Sequence, residues 1–418
     1  MNISKDNKNI LLIVVILLGF LSLFLGAHFG EDALGGAKND YLFHEKYIFS
    51  FSENFSKAIN EFGENYQVRN SPIFFIYSSY FIKFGVDILY LKYFNLIIIL
   101  PLVIFFIKSL DIKYENLNIQ SKAFLTAIIF ISPTIRSLSA WPYPLTWAIC
   151  FFLVSIFYFL KFQKSESKRK KIKYSLLNVL FLAISAYFTP NFGIFAIFFL
   201  FYFLQYFKFS KESFIIILFN IALSLPALYF LVIKDFYLFR HEIDNVITDY
   251  TIYDTLNISN KIIIISSIIF FFFIPFIEIK KIDKKKLIKN IGYIFIFILI
   301  NIYFFNFREG LGGGLFYHLS NVLFGSPILL FIIFSISLLI FRNFNLLNYD
   351  NSFLFLILIL YNIQSTIYYK YYDPIIYFIL LFLIRTKSNF NLEMISKKNL
   401  LFYLFFLSIS FGKKLIIY

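Results

Sequence analysis

Charge is what this chain has least of. Only 15% of its 418 residues are Asp, Glu, Lys or Arg, too few to cover a globule, so a water-soluble domain of this size is excluded. Cysteine is nearly absent too. The lone Cys150 lies in an apolar run, which rules out an intramolecular disulfide and leaves the redox compartment open. No Cys or His cluster has metal-finger spacing, and there is no Walker-type loop, serine elbow or internal repeat. The glycine run at 312–314 lacks the strand and helix of a nucleotide loop, so nothing points to nucleoside triphosphate chemistry.

What fills the chain instead is hydrocarbon. Hydrophobic residues make up 60% and mean hydropathy is +0.76. Apolar runs of roughly 17 to 25 residues, the length that crosses a core of about 30 Å, recur from end to end with short polar breaks. The reading is an all-α polytopic membrane protein forming one integral domain over 1–418. Spans are expected at about 9–27, 89–108, 122–140, 144–162, 174–188, 191–207, 213–234, 260–279, 289–306, 319–341, 351–368, 373–386 and 399–416, or ~13 helices. The first run has no convincing small-residue cleavage site and is read as a retained span. Abundant Phe, Ile, Asn and Lys with little Ala is what an AT-rich genome encodes, a pointer to a bacterial source.

The net charge of +15 does not call for nucleic acid, because the basic residues cluster between apolar runs. Lys161 to Lys173, Lys208 with Lys211, Lys280 to Lys289 and Arg385 to Lys398 read as cytoplasmic loops facing anionic lipid. These clusters share one side only if Pro72 to Gly85, roughly 14 residues and short for a span, is interfacial or re-entrant. Ser71 is its expected N-cap and Pro72 its first helical residue. Three outer loops follow, at 28–88, 235–260 and 307–318, and His28, His44, His241 and His318 all fall in them.

The first outer loop holds the most chemistry. Ile48, Phe51, Phe55, Ile59 and Phe62 recur at helical spacing, predicting an interfacial helix from about Lys46 to Phe62. Upstream stand Glu31, Asp32 and Asp40. Asp40 and His44 share a face if a helix starts near Tyr41, so the imidazole would orient the carboxylate; the plain alternatives are that Asp40 caps that helix and that His44 is an ordinary interfacial side chain. Cations on the outer side are Arg69, Arg136, Arg240, Arg308 and Lys370. For Arg136 and Lys370 the competing reading is snorkelling, and Arg308 beside Glu309 reads equally as a surface pair. Most aromatics belong to the interface belt, although Tyr371 and its neighbours have the chemistry to stack on a sugar.

This order of features resembles the GT-C superfamily of polytopic glycosyltransferases, in particular the polyprenyl-phosphate-dependent group with protein O-mannosyltransferases and aminoarabinose transferases. The likeness rests on the acidic loop after the first span, on Asn70-Ser71-Pro72-Ile73-Phe74-Phe75 closing that loop, and on Lys370-Tyr371-Tyr372-Asp373-Pro374 near a late span. It implies a multi-pass enzyme of the bacterial inner membrane that moves a sugar, with inversion, from a polyprenyl-phosphate donor to a lipid or glycan acceptor at the outer face. A first-loop acid would be the general base: Asp40 matches best, then Asp32, then Glu31. The basic residues named above, with His44 and Tyr371, would bind substrate. The second acid that many of these enzymes carry in the turn after the third span is missing from Trp141-Pro142-Tyr143-Pro144; a role needing it comes from elsewhere, such as Asp244 or Asp249, or is absent. No cofactor is implied, and a divalent metal has no evident ligand set. The rivals are a polysaccharide polymerase and a flippase or other transporter of lipid-linked glycans. Transport would show ionisable residues within spans or paired broken helices, neither of which the sequence displays.

Overall fold

The computed structural model describes residues 5–33, 36–62, 70–229, 257–278, 282, 291–307, 312–362, 366–385 and 392–416. Arg69, Arg240, His241, Asp244, Asp249 and Arg308 lie outside them. Among the described residues the chain is helical, with no strand beyond a backbone bridge between Gly312 and Ile367. Among the described residues eight helices are long and apolar enough to cross a membrane, or nine when a bent pair counts as one span. The protein is an all-α membrane protein. It divides into two compact units, Met1–Arg240 with Leu392–Tyr418, and His241–Asn391.

The first unit opens with α1 (Lys5–His28). Three short helices, α2 (Ala37–Glu53), α3 (Phe55–Glu61) and α4 (Ile73–Lys83), follow, then α5 (Leu91–Ile97) and α6 (Ile99–Lys113). Next come α7 (Ile119–Ile131), α8 (Pro133–Ala140), α9 (Pro144–Lys164) and α10 (Lys168–Phe188). The unit ends with α11 (Phe195–Phe207) and α12 (Lys211–Leu228). Gly19 and Gly26 stand two turns apart on α1, where bare backbone admits close neighbours. A Cβ at Gly19 would sit 2.4 Å from the Phe130 ring of α7, and one at Gly26 would sit 2.5 Å from the Glu31 carboxylate.

Chain direction alternates between two chemically different ends. Phe24 stacks on Tyr93 at 5.1 Å, which brings the start of α5 to the end of α1. At the other end Lys164 pairs with Glu115, and Lys168 with Glu212 at 2.7 Å. Lys161 and Lys171 lie over the rings of Tyr174 and Tyr206 at that same end. The turns between α6 and α7, α9 and α10, and α11 and α12 therefore form a lysine-rich end. The loop carrying α2 to α4, the Trp141 turn and the Pro190 turn form the opposite one. Single cysteines at Lys38 and Lys170, both exposed, are expected to react with an impermeant maleimide from opposite sides of the membrane, because native Cys150 is buried and silent. Labelling of both from one side would refute this arrangement.

Several expected elements are redrawn. The span expected at 122–140 is two helices bent by 50° at Ser132, whose side chain caps α8 by accepting the Ile135 N–H. The first-loop helix begins at Ala37, not near Tyr41 or Lys46, and breaks at Asn54, whose side chain takes the Lys57 N–H and starts α3. Ser71 is not the cap of α4; Pro72 occupies that position and the Ser71 hydroxyl donates to the Tyr187 carbonyl. Helix α4, with 11 residues, is too short to cross a bilayer.

The second unit holds α13 (Ile258–Phe273), α14 (Ile291–Tyr303), α15 (Gly314–Phe324), α16 (Ile328–Asn343), α17 (Tyr349–Tyr361) and α18 (Ile375–Phe378), which winds on as a π-helical turn to Leu383. Helix α13 is its axis, packing against each of the others. The span expected at 319–341 is α15 and α16, separated at Gly325 in the left-handed region, where the chain turns before Pro327. Helix α19 (Leu392–Ile416) returns to the first unit, where it packs on α7 and α8.

Candidate functional site

The loop end of the first unit is built around a buried charge pair. Arg136, on α8 after the Ser132 break, sends Nε and Nη2 to the two Glu31 carboxylate oxygens at 2.5 Å each. Its Nη1 donates to Ser22 Oγ at 2.7 Å and to the Phe130 carbonyl at 3.2 Å. The side chains are 11% and 10% exposed. A bidentate fork of this kind is geometrically specific, and it sets the free-snorkelling picture of Arg136 aside: the guanidinium is turned inward and its charge is balanced.

Asp32, the next residue, has a different task. It is buried, and its oxygens accept from the Ala37 and Lys38 N–H groups at 3.3 and 3.4 Å. The N-cap of α2 is Gly36, in the left-handed region with φ 91°, which has no side chain to cap with. Asp32 reaches across to satisfy amides that would otherwise be orphaned. The capping role considered for Asp40 thus belongs to Asp32.

Asp40 sits half-buried in the first turn of α2, where negative charge suits the helix dipole. His44 follows one turn later and is buried, stacked on Tyr143 at 4.9 Å and met edge-on by Phe75 of α4 at 5.2 Å. Tyr41 packs on Trp141 at 5.7 Å and donates its hydroxyl to the Ile88 carbonyl at 3.2 Å. Burial raises the Tyr41 phenol's pKa, helped by the nearby Glu45 and Asp87 charges. Burial likewise raises that of Glu45. Lys38 lies 5.7 Å from the centroid of the Trp141 ring. The structure therefore brings Glu31, Asp32, Asp40, His44 and Arg136 to one end of one unit.

Beside this end runs a groove of about 700 Å³ between α3, α4, α10, the Pro190 turn, α11 and α12. Ile59, Pro72, Ile76, Leu182, Leu223 and Ala227 are among the side chains that line it. Its polar groups turn to backbone: Ser71 to Tyr187, Tyr187 to Leu223, Asn220 to Ile216 and Ser224 to Ile221. With these donors satisfied the lining presents hydrocarbon, which suits an alkyl or isoprenoid chain better than a sugar. No sequence signal announced this groove, since its walls come from segments far apart in the chain.

Lys370 and Tyr371 belong to the second unit, in a short turn over Tyr369–Tyr371. Lys370 lies 5.7 Å from the ring centroids of both Tyr368 and Tyr371. Tyr369 accepts the Leu315 N–H at the start of α15, and Asp373 is fully buried, so the Lys370–Pro374 stretch packs into its unit. Among the described residues no three His, Cys, Asp or Glu gather as metal ligands. No family model, curated protein or solved structure matches the chain.

Proposed function

We propose that the chain is a GT-C-like glycosyltransferase. It moves a sugar from a polyprenyl-phosphate donor to a lipid or glycan acceptor at the outer face of a bacterial inner membrane, with the lysine-rich end cytoplasmic by the positive-inside rule. The observation that carries this reading is the apolar groove, which reaches from spanning helices to the interfacial helices beside the acidic loop. A lipid carrier's chain fits there while its head lies at the bilayer surface.

In this reading Asp40 is the general base. It takes the proton of the acceptor hydroxyl as that oxygen bonds to the anomeric carbon; the bond from that carbon to the phosphate oxygen breaks, and its electron pair leaves with the phosphate. Glu31 and Asp32 serve as supports, since each is already committed to a structural contact. The test incubates purified protein in lipid vesicles with radiolabelled polyprenyl-phosphate sugars and an outer-leaflet lipid extract. Ala186→Trp, which fills the groove, is expected to lower transfer from long-chain donors about tenfold while sparing short-chain analogues. Equal loss for both chain lengths would remove the groove from donor binding. Absence of transfer from every carrier would refute the enzyme.

A second reading, passage of a lipid-linked glycan across the membrane, draws on one observation. The span over α7 and α8 is broken at Ser132 and carries Arg136, and broken helices and intramembrane charge are features of transporters. Translocation of a fluorescent lipid-linked glycan without transfer of its sugar would favour it.

A further inference from the structure

The groove beside the acidic loop has one wall unlike the others. Asn220, Leu223, Ser224, Pro226 and Ala227 of α12 form it, and α12 has the smallest buried share of the eight described spanning helices, 11% of its window. It packs on α10 and α11. Phe214, Leu218, Ile221, Leu225 and Leu228 are exposed, and their spacing of four and three places them in one stripe that faces lipid. The two ends of α12 are held differently. At the lysine-rich side Glu212 pairs with Lys168 at 2.7 Å, and the Ser213 hydroxyl donates to the Lys208 carbonyl at 2.5 Å.

The other end is held by a polar strap. Tyr187, at the close of α10, lines the groove and bonds in two directions: its carbonyl accepts the Ser71 hydroxyl just before α4, and its hydroxyl donates to the Leu223 carbonyl of α12. The helix is weakest where the strap takes hold. Pro226, inside α12, has no N–H for the Ala222 carbonyl, and its ring crowds that oxygen. Asn220 and Ser224 bond the Ile216 and Ile221 carbonyls of their own helix, contacts that compete with the backbone ladder. A helix end with little packing and an interrupted ladder opens at low cost. The Tyr187 hydroxyl keeps it against α10.

We propose that the Pro226 end of α12 is a gate. It swings away from α10 when the Tyr187 hydroxyl releases the Leu223 carbonyl, and an alkyl or isoprenoid chain of a membrane lipid then enters the groove sideways from the bilayer. Lateral entry keeps the chain in hydrocarbon throughout, whereas threading it from an aqueous end would expose its length to water. The inference rests on the reading that the groove holds a lipid chain, and not on sugar transfer.

The test follows entry and release of a radiolabelled polyprenyl phosphate with the full chain in phosphatidylcholine nanodiscs. Tyr187→Phe keeps the ring and removes the latch. Because the latch forms whether the groove is empty or filled, its loss is expected to speed entry and release alike, about fivefold, with Kd nearly unchanged. Both rates unchanged, or a Kd shifted through release alone, would make Tyr187 a plain lining residue and overturn the gate. Should Tyr187→Phe not fold, Pro226→Ala decides, since it returns an N–H to the helix and stiffens it. Spin labels at Tyr80 and Leu225, both exposed, with native Cys150 buried, should show a second, longer distance in the wild type that Pro226→Ala depletes; one distance, the same in both, overturns the gate. Ala186→Trp separates the gate from the reading beneath it. Chain binding that survives this change would place the chain outside the groove and remove both, whereas binding lost here but rates unmoved by Tyr187→Phe would remove the gate alone.

Discussion

Asp40→Asn is expected to lower kcat for sugar transfer by about 10²- to 10⁴-fold, the contribution of a positioned general base, with little change in KM. The substitution keeps size and shape while removing the carboxylate proposed as the base, and it disturbs no cap, since the amides at the start of α2 are held by Asp32 and the cap position itself is Gly36. Asp32→Asn is the informative control. Its one remaining side-chain oxygen can accept from only one of the Ala37 and Lys38 amides, so it should cost about 1 kcal/mol of stability and leave turnover near wild type. The pair of results separates chemistry from scaffolding. If Asp40→Asn turned over normally while Asp32→Asn did not, the base would have to be reassigned.

The second large effect is on folding. Glu31→Gln and Arg136→Met are each expected to destabilise the first unit by about 3–5 kcal/mol, because either change leaves one buried charge uncompensated. Glu31→Gln keeps hydrogen-bonding capacity but not charge, and Arg136→Met keeps much of the apolar stem. The double variant should cost clearly less than the sum of the two, giving a coupling energy of about 1–3 kcal/mol in a double-mutant cycle. Denaturant or thermal unfolding in detergent would measure it. Additive effects would show that the 2.5 Å contacts do not act as a unit. Gly26→Ala provides an independent approach to the same pair, since its Cβ would intrude 2.5 Å from the Glu31 carboxylate and should push that carboxylate off the guanidinium.

Much of the architecture was legible from residue order. Membrane character, helical class and the gathering of lysines at one end of the first unit follow from transfer free energies, which belong to each side chain wherever it packs. The modest length of α4 was equally readable, because a stretch of that size cannot cross a bilayer. Two breaks carried local signals as well. Ser132-Pro133 places a capping residue before a proline, and Asn54 is a residue type that starts helices.

The arrangement of the acids was a matter of tertiary structure. Glu31 and Arg136 are separated by 105 residues, and they meet because Gly19 and Gly26 let α7 and the loop after α1 approach its backbone. Asp32 became a cap, and Asp40 was relieved of that role, because the turn placed a glycine at the head of α2. The apolar groove likewise has no signature in residue order. It is the space left between helices, and it depends on which neighbours arrive. Solubility in lipid is a property of each segment alone, whereas cavities and charge balance are properties of contacts, and contacts exist only once the chain has folded.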